Sequence, residues 1–505
     1  MYLKYLGILS IAVLCSINAD AQNIVYSQPD KDQVRGATFE VIGKMADHYI
    51  LYNNLRSDRY MYLYDTDMKL ISKTRIQNIP DKLISTDFIE LRDSFYMIYQ
   101  YQHRNIVYCE AAIFDANARM VGMPRVLDTT AINFFANNKL YTLLYSEDKN
   151  RIAVIKINSR NPVNFVVTSS LFTRSLDRIS KTTSNIPIPG RNDFLTEFNL
   201  DNAGDLAFIR ASGNSDNDNI NALVLLTKKP LEDSISAHSL DVANIYLSDI
   251  RMKVDNINGH YLIASFYSKN RRGNIDGLYC ALWDKNNDSL ISTRYNTFSD
   301  NLRNEAKGQG DNLRTAFDNY FLQNIIMRKD GGYLLAAEST YSSSHGAPIN
   351  RWDYLYGMPY LSPAYYYNFN PYGYYSPWGF SPFSQSTRYY ADNITILSFD
   401  PGGNVEWSNV INKSQFDDNT DDFIGYTILN TGGEIHFLFN QLERRVLLLT
   451  DQAITPDGQL HRSPTFRDLD NGYQFMSRYA KQVGPRELII PCQYRNYICF
   501  AKVDL

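Results

Sequence analysis

The stretch Asp330-Gly331-Gly332-Tyr333-Leu334-Leu335-Ala336-Ala337 places a tight polar turn directly before an aromatic residue that opens an apolar run. A polar turn followed at once by an aromatic or aliphatic residue occurs eight times along the chain. The instances are Asp47-His48-Tyr49, Asp93-Ser94-Phe95, Asn138-Lys139-Leu140, Gly204-Asp205-Leu206, Gly259-His260-Tyr261, Gly332-Tyr333, Gly433-Glu434-Ile435 and Pro485-Arg486-Glu487-Leu488. Self-similarity at a period of tens of residues is typical of arrays, solenoids and propellers. The sequence therefore predicts a repeat architecture.

Each repeat is predicted to contain four short strands, A to D, and the recurring turn is predicted to join A to B. In the sixth repeat the predicted strands cover residues 324–328, 333–340, 393–399 and 405–411. In six repeats strand C ends in an aspartate, at Tyr64-Asp65, Phe114-Asp115, Trp283-Asp284, Phe399-Asp400, Thr450-Asp451 and Val503-Asp504. An aspartate there can accept a hydrogen bond from the backbone two residues on and start the C-to-D turn. A calcium role is the alternative, although isolated aspartates lack the clustered oxygen ligands that calcium prefers.

Repeated units of four short antiparallel strands are typical of a β-propeller, whose radial closure leaves only short sheet edges. The predicted fold class is therefore all-β, with eight four-stranded blades and with seven blades as the alternative. The last unit ends soon after its strand C, at residues 496–503, and the segment 23–27 precedes the first strand A without a partner. Pairing of this N-terminal strand into the last blade is predicted to close the ring and to remove an open sheet edge.

The sixth repeat continues with Ile396-Leu397-Ser398-Phe399-Asp400-Pro401-Gly402-Gly403-Asn404-Val405-Glu406-Trp407. Together with the stretch at 330–340, this segment resembles the propeller repeats of secreted and periplasmic proteins of Bacteroidota, in which a Gly-Gly-Tyr strand precedes a strand ending Asp-x-x-Gly-x-x-x-Trp. The resemblance is strongest over residues 324–412, and the other repeats lose the Trp and often the Gly. It implies a propeller fold in an exported protein. It transfers no activity, because propellers host many unrelated functions.

Residues 1–21 are predicted to be a secretory signal peptide, with an apolar core and a small-residue cleavage site between Ala21 and Gln22. Residues 22–505 then form a single propeller domain with a Tyr/Pro-rich insertion at 341–390. The sequence shows no later stretch apolar enough to span a membrane. No C-terminal sorting domain is visible, so we expect a periplasmic protein, with the cell surface and secretion as alternatives.

Charge and cysteine content limit the partners. The net charge is −4, which leaves no basic excess to neutralise a phosphate backbone, so nucleic acid is not an expected partner.

Cys492 and Cys499 flank a short link that is compatible with a hairpin. An oxidising compartment permits a disulfide between them, and two half-buried strand cysteines are the equally weighted alternative, because pairing depends on a Cα separation that the sequence does not give.

The insertion at 341–390 differs in composition from the rest of the chain, since tyrosine, tryptophan and proline dominate it. Tyr and Trp offer rigid contact area with hydrogen-bonding tips, which protein interfaces exploit. A low-complexity loop packed on its own blade is the alternative interpretation. The insertion and the neighbouring link at 300–319 supply the predicted binding surface: Arg303, Arg314, Arg351, Trp352, Tyr354, Tyr356, Tyr360, Tyr365, Tyr366, Tyr372, Tyr374 and Trp378.

The sequence contains no Gly-x-Ser-x-Gly elbow, phosphate loop or His-Glu-x-x-His motif. It therefore predicts no catalytic residues, no metal ligands and no cofactor. The predicted function is a non-catalytic exported propeller, either a monomer or part of an envelope complex, that presents its aromatic loop to an envelope protein or polysaccharide. The alternative is a carbohydrate-active or other hydrolytic enzyme with its site at the mouth of the propeller channel.

Overall fold

The computed structural model describes residues 23–30, 37–55, 58–132, 139–158, 164–190, 192–213, 219–242, 244–308, 312–344, 347–348, 387–418, 420–443, 446–462 and 472–505. Within these residues the protein is all-β. Its strands pair in small antiparallel sheets, and the one α-helix of this part of the chain is α1 (Asp300–Ala306). The predicted all-β fold class is confirmed.

The strands group into successive units along the chain, each containing four main strands. The first two units contain β2 (Thr38–Met45), β3 (His48–Leu55), β4 (Asp58–Tyr64) and β5 (Leu70–Arg75), then β6 (Ser85–Glu90), β7 (Ser94–His103), β8 (Ile106–Asp115) and β9 (Arg125–Ala131). The third and fourth contain β10 (Tyr141–Tyr145), β11 (Arg151–Asn158), β12 (Asn164–Thr173) and β13 (Arg178–Pro187), then β14 (Phe194–Leu200), β15 (Leu206–Gly213), β16 (Ile220–Lys228) and β17 (Ser236–Leu240).

The second half of the chain continues the series. The fifth and sixth units contain β18 (Tyr246–Asp255), β19 (His260–Ser268), β20 (Gly277–Asp284) and β21 (Ser289–Thr297), then β22 (Tyr320–Met327), β23 (Tyr333–Ser344), β24 (Ala347–Pro348), β25 (Thr387–Phe399), β26 (Val405–Ile411) and β27 (Gln415–Asp418). The seventh contains β28 (Tyr426–Asn430), β29 (Ile435–Glu443), β30 (Val446–Ile454) and β31 (Leu460–Arg462). The last contains β32 (Tyr473–Phe475), a 3₁₀ turn (Ser477–Tyr479), β33 (Lys481–Gln482), β34 (Glu487–Tyr494), β35 (Tyr497–Asp504) and, from the N-terminus, β1 (Asn23–Tyr26).

First strands of several neighbouring units contact one another, and fourth strands such as β5 and β21 lie at the edges of their sheets. The first strands pack on one another between units: β2 contacts β6 and β33, β14 contacts β10 and β18, and β33 also contacts β28. The fourth strands β5 and β21 are largely exposed. Side chains alternate between the two faces of a strand, and in β8 this alternation buries Val107, Cys109 and Ala111 on one face.

Apolar clusters hold neighbouring units together. Each cluster draws its buried residues from two successive units, so that the first unit shares one cluster with the second and the seventh shares one with the last. A further cluster joins the last unit to the first, and in it the ring of Phe39 packs edge to face on Phe500 with centroids 5.5 Å apart. Burial between faces of adjacent sheets is therefore the main stabilising interaction of the fold.

The N-terminal strand pairs with the C-terminal strand, as the sequence predicts for these two segments. β1 runs antiparallel to β35, with Ile24 opposite Val503. Tyr26 at the end of β1 stacks on Tyr473 of β32, with ring centroids 4.2 Å apart. The two ends of the described chain thus belong to one sheet.

Seven of the eight recurring turns lie between the first and second strands of a unit. The third instance, at 138–140, was assigned wrongly, because it precedes β10, the first strand of its unit. The turn that joins β10 to β11 is formed by residues 146–150, and Ser146 Oγ accepts the Arg151 backbone N–H at 3.0 Å there. A charged residue rather than an apolar one follows that turn, which is why the pattern misses it.

The predicted role of the strand-end aspartates is confirmed at Asp65, Asp115 and Asp284. Asp65, Asp115 and Asp284 accept the backbone N–H two residues on at 2.9, 2.9 and 2.8 Å. Asp451 is an exception, because it lies inside β30, is fully buried and contacts His436 Nδ1 at 3.0 Å.

The predicted insertion at 341–390 begins and ends with strand residues. β23 continues to Ser344 and β25 begins at Thr387, and the two strands pair along this extension. Tyr341 stacks on Tyr390 across the pair, with ring centroids 4.5 Å apart. β27 adds to the other edge of β25, so three strands pair side by side here.

Removal of the Phe500 ring tests the cluster that joins the last unit to the first. Phe500 is fully buried, and we expect Phe500→Ala to lower the free energy of unfolding by about 3–5 kcal/mol, because it leaves a cavity at this contact. Phe416→Ala is the matched control, since Phe416 is 55% exposed and its loss should cost less than about 1 kcal/mol. Equilibrium denaturation measures both, and equal small effects would contradict the packing of Phe500.

Candidate functional site

Charged side chains gather where the inner strands of the first three units and the last unit approach one another. We call this group the inner-strand cluster, and its members are Glu40, Asp87, Glu90, Lys139, Lys149 and Lys481. Charged residues are almost never buried together without pairing or a functional reason. The cluster is therefore the principal candidate site.

Glu40 is the most perturbed carboxyl group of the cluster. On β2, Phe39 and Val41 pack toward the last unit, so strand alternation turns Glu40 to the opposite face. Glu40 is 7% exposed. Burial raises the pKa of Glu40 to about 8; Lys481 and Lys139 oppose this rise, and Asp87 adds to it. Burial therefore favours the protonated form of this side chain at neutral pH.

Two ion pairs lie beside Glu40. Lys139 Nζ donates to Asp87 Oδ1 at 2.7 Å, and both side chains are less than one-fifth exposed. Gln100 places this lysine, because its Oε1 accepts the backbone N–H groups of residues 140 and 141 at 3.0 and 2.9 Å. Lys481 Nζ lies 3.5 Å from Glu90 Oε2.

A bulge in β2 makes room for Glu90. The pairing register of β2 with β3 shifts between Val41 and Gly43. Gly43 has φ of +150°, and a Cβ built on it would lie 2.2 Å from Glu90 Cδ, so any side chain there would displace this carboxylate. The bulge also turns the Ile42 carbonyl toward Lys481 Nζ, which donates to it at 2.6 Å. Bulges of this kind often re-aim side chains near functional sites.

A second charged group on the inner strands has its hydrogen bonds satisfied. Glu197 Oε2 accepts the Met252 backbone N–H at 2.8 Å, and Asp249 Oδ2 accepts that of Leu322 at 2.5 Å. Arg251 Nη2 lies 3.2 Å from Asp249 Oδ1. Burial raises the pKa of Glu197, and the charge of Arg251 opposes the rise. Because these groups bind backbone across neighbouring units, they are structural ties.

The pair formed by His436 and Asp451 has part of the arrangement of a hydrolytic triad. The imidazole Nδ1 lies 3.0 Å from Asp451 Oδ2, and the carboxylate is fully buried. A triad also needs a nucleophile hydrogen-bonded to the other ring nitrogen. No described Ser, Thr or Cys side chain makes that contact.

Most residues of the predicted binding surface, from Arg351 to Trp378, lie outside the described residues. Arg303 is described and is bound to backbone, because its Nη2 donates to the carbonyls of Ile275 and Asp276, both at 2.9 Å. It therefore anchors α1 and does not project as a free ligand-binding group. Arg314 lies in an exposed turn.

Cys492 and Cys499 lie directly opposite each other in the β34–β35 hairpin. Both are fully buried, and both are free thiols in this structure. The signal peptide with its cleavage site at Ala21 and Gln22 lies outside the described residues. Among the residues that are described, no three His, Cys, Asp or Glu side chains are placed to hold a metal ion, and no helix is long and apolar enough to cross a membrane.

Sequence reasoning missed the inner-strand cluster. Glu40 and Lys481 are separated by nearly the whole chain, and neither belongs to a local motif. One sequence signal was available: Glu40 lies within an otherwise apolar strand, Phe39-Glu40-Val41-Ile42, where a carboxylate is unexpected.

Comparison with known proteins gives similarity at the level of structure. No protein-family model matches the sequence, and no curated protein is significantly similar to it. A prolyl endopeptidase structure is 9% identical, with a TM-score of 0.35, over 84% of this chain and 56% of its own. Prolyl oligopeptidase B from Galerina marginata is 10% identical, with a TM-score of 0.39, over 92% of this chain and 56% of its own. An ulvan lyase of a polysaccharide lyase family is 10% identical, with a TM-score of 0.37, over 82% of this chain and 90% of its own.

The chain thus spans little more than half the length of the prolyl peptidases that it matches. All of these similar structures are enzymes, which counts against the prediction of a non-catalytic binding or scaffold module. At these identities and TM-scores no residue, substrate or reaction is transferred from them to this chain.

The raised pKa of Glu40 predicts how stability depends on pH. The folded state keeps a proton that the unfolded chain releases near pH 4.5, so the free energy of unfolding should fall as pH rises from about 4.5 to about 8. Glu40→Gln removes this titration. Its stability relative to the natural protein should therefore be higher at pH 9 than at pH 5, as measured by chemical denaturation.

The exposed Glu305 on α1 provides the control for this measurement. Glu305→Gln should leave the pH dependence of the natural protein unchanged. A Glu40→Gln variant whose stability runs parallel to that of the natural protein from pH 5 to pH 9 would show that Glu40 is not held protonated.

Proposed function

We propose that the protein is an exported eight-bladed β-propeller that cleaves glycosidic bonds in a polysaccharide, with Glu40 as the general acid. The observation that carries this proposal is a carboxyl group on β2 that is 7% exposed and whose pKa burial raises to about 8, with the ion-paired carboxylate of Asp87 among the charges that act on it. Two carboxyl groups in different environments are the usual requirement for hydrolysis of a glycoside.

The proposed ring has eight blades. The apolar clusters between successive units support this number, as do the cluster between the last and first units and the pairing of β1 with β35. The fourth and fifth units share a single residue pair, Ile220 with Leu247, which is compatible with two blades. In such a ring the first strands surround the central channel, and the inner-strand cluster lines its wall.

Export is proposed from the signal-like residues 1–21 and from the resemblance of residues 324–412 to propeller repeats of exported Bacteroidota proteins. The periplasm is the preferred location. A polysaccharide of the cell envelope or of the surroundings would then be within reach of the channel.

The proposed reaction divides the chemistry between two side chains. Protonated Glu40 donates its proton to the leaving oxygen as the bond between that oxygen and the anomeric carbon breaks. Asp87 accepts a proton from a water molecule, whose oxygen bonds to the anomeric carbon. Lys139 fixes the orientation of Asp87 through their 2.7 Å contact. Proton exchange with solvent then restores both carboxyl groups.

Activity assays on purified protein test this proposal. Release of reducing ends from a panel of polysaccharides is the readout, and Glu40→Gln should lower kcat by about 100-fold or more, because a general acid contributes roughly that factor. Activity of the natural protein should fall as pH rises through about 8, since Glu40 then loses its proton. The exposed Glu305→Gln variant should keep full activity. Equal activity of the natural protein and Glu40→Gln on every cleaved polymer would overturn the assignment.

A further inference from the structure

We propose that Cys492 and Cys499 are an oxidation site, at which a disulfide joins strands β34 and β35. The two cysteines occupy opposite positions in this hairpin, and both are fully buried. The inference does not depend on the proposed reaction. It rests on the proposed export, because an exported chain meets an oxidising compartment.

The pairing register brings the two thiols within bonding range. Residues directly opposite each other in an antiparallel pair have Cα atoms about 4.5 or 5.5 Å apart, and a disulfide needs about 4.4–6.8 Å. Side chains of such a pair project from the same face of the sheet. Cys492 and Cys499 accordingly belong to one apolar cluster, and a hydrogen bond from Cys492 lowers the pKa of the Cys499 thiol. The two sulfur atoms therefore face each other.

The other two cysteines of the described chain lie opposite residues of other types. The opposing positions are Gln100 and Asp128 for Cys109, and Ala264 and Arg294 for Cys280. These two buried thiols have no cysteine across the strand pair, so they serve as internal controls.

Oxidation proceeds by two exchanges with a disulfide oxidant, such as a small-molecule disulfide or an oxidised thiol oxidoreductase. One cysteine thiolate attacks this disulfide, which forms a mixed disulfide and releases one thiolate of the oxidant. The second cysteine thiolate attacks the mixed disulfide, forms the bond between Cys492 and Cys499, and releases the second thiolate of the oxidant. The two protons of the cysteines pass to the released thiolates, so the protein loses two electrons and the oxidant gains them.

The bond would fix the strand that carries the contact between the last unit and the first. Successive residues of β35 face opposite sides of the sheet: Cys499 joins the cluster shared with the seventh unit, and Phe500 joins the cluster shared with the first. A one-residue slip of β35 against β34 would exchange these faces. A disulfide in register excludes that slip and holds Phe500 against the first unit.

Complete burial protects the bond once the protein is folded. Reduction requires a thiolate to reach one of the sulfur atoms, and both are shielded from solvent. The bond should therefore form during folding and be reduced only when the hairpin opens, which is the behaviour of a structural disulfide.

Peptide mapping of the natural protein tests the inference without any substitution. Protein purified from the producing cells without reductant is unfolded with iodoacetamide and digested with trypsin, which cuts between the two cysteines after Arg495. The expected product is a pair of peptides, residues 487–495 and 496–502, that are joined by a disulfide and separate on reduction. Cys109 and Cys280 should be alkylated in the same digest. Dithiothreitol should break the bond in denaturant and leave it intact in the folded protein.

Thermal unfolding measures the effect of the bond on the fold. Dithiothreitol should lower the unfolding midpoint of the natural protein by about 2–4 °C, because the reduced unfolded chain is less constrained. Cys109→Ala is the matched control and should show the same shift, whereas the midpoint of Cys492→Ala should not respond to dithiothreitol. An equal response of Cys492→Ala and Cys109→Ala would contradict the pair.

The outcome is separable from that of the proposed function. A disulfide that forms when the protein is refolded with oxidised glutathione, but is missing from the cell-derived protein, supports the pair and contradicts export. A disulfide in a protein that cleaves no polysaccharide supports the pair and contradicts the enzyme. Alkylation of both Cys492 and Cys499 in the refolded and in the cell-derived protein would overturn the inference.

Discussion

The contact between the last unit and the first is the interaction on which the rest of the structure depends. Phe39 packs on Phe500, β1 pairs with β35, and Lys481 donates to the carbonyl of Ile42. Each of these contacts joins residues more than 400 positions apart in the sequence. Bringing such distant segments together costs conformational entropy, which the burial of apolar side chains must offset. The apolar cluster that the last unit shares with the first supplies this burial.

The same contact creates the candidate site. Glu40 lies on the first unit and Lys481 on the last, so their charges meet only because these units pack together. Bulges also occur in the first strands of the fourth and fifth units. Glu197 and Asp249 lie at these bulges, and each carboxylate accepts a backbone N–H group of the next unit. Glu40 differs because burial raises its pKa to about 8, and a carboxyl group perturbed in this way is a common feature of catalytic sites.

The sequence predicted the fold far better than the site. Strand boundaries in the sixth unit, the pairing of 23–27 near the C-terminus and the aspartate turns follow from local patterns with a fixed period, and local patterns are visible in one sequence. The prediction of the turn in the third unit was wrong because a charged residue, Arg151, begins the second strand of that unit. The site could not be predicted from the sequence, for a different reason. Burial raises the pKa of Glu40, and the charges of Lys481, Asp87 and Lys139 modify it. Only the folded chain brings these residues together.

We propose that contact between the last unit and the first buries Glu40 and keeps it protonated at neutral pH. Infrared spectroscopy of the carboxyl C=O stretch tests it most directly, as the difference between the natural protein and Glu40→Gln from pH 5 to pH 10. The account predicts a protonated-carboxyl band that is present at pH 7, absent from the variant, and lost with a midpoint of about 8. A band lost with a midpoint near 4.5 would show an ordinary solvated carboxylate and would contradict both the buried acid and the chemistry built on it.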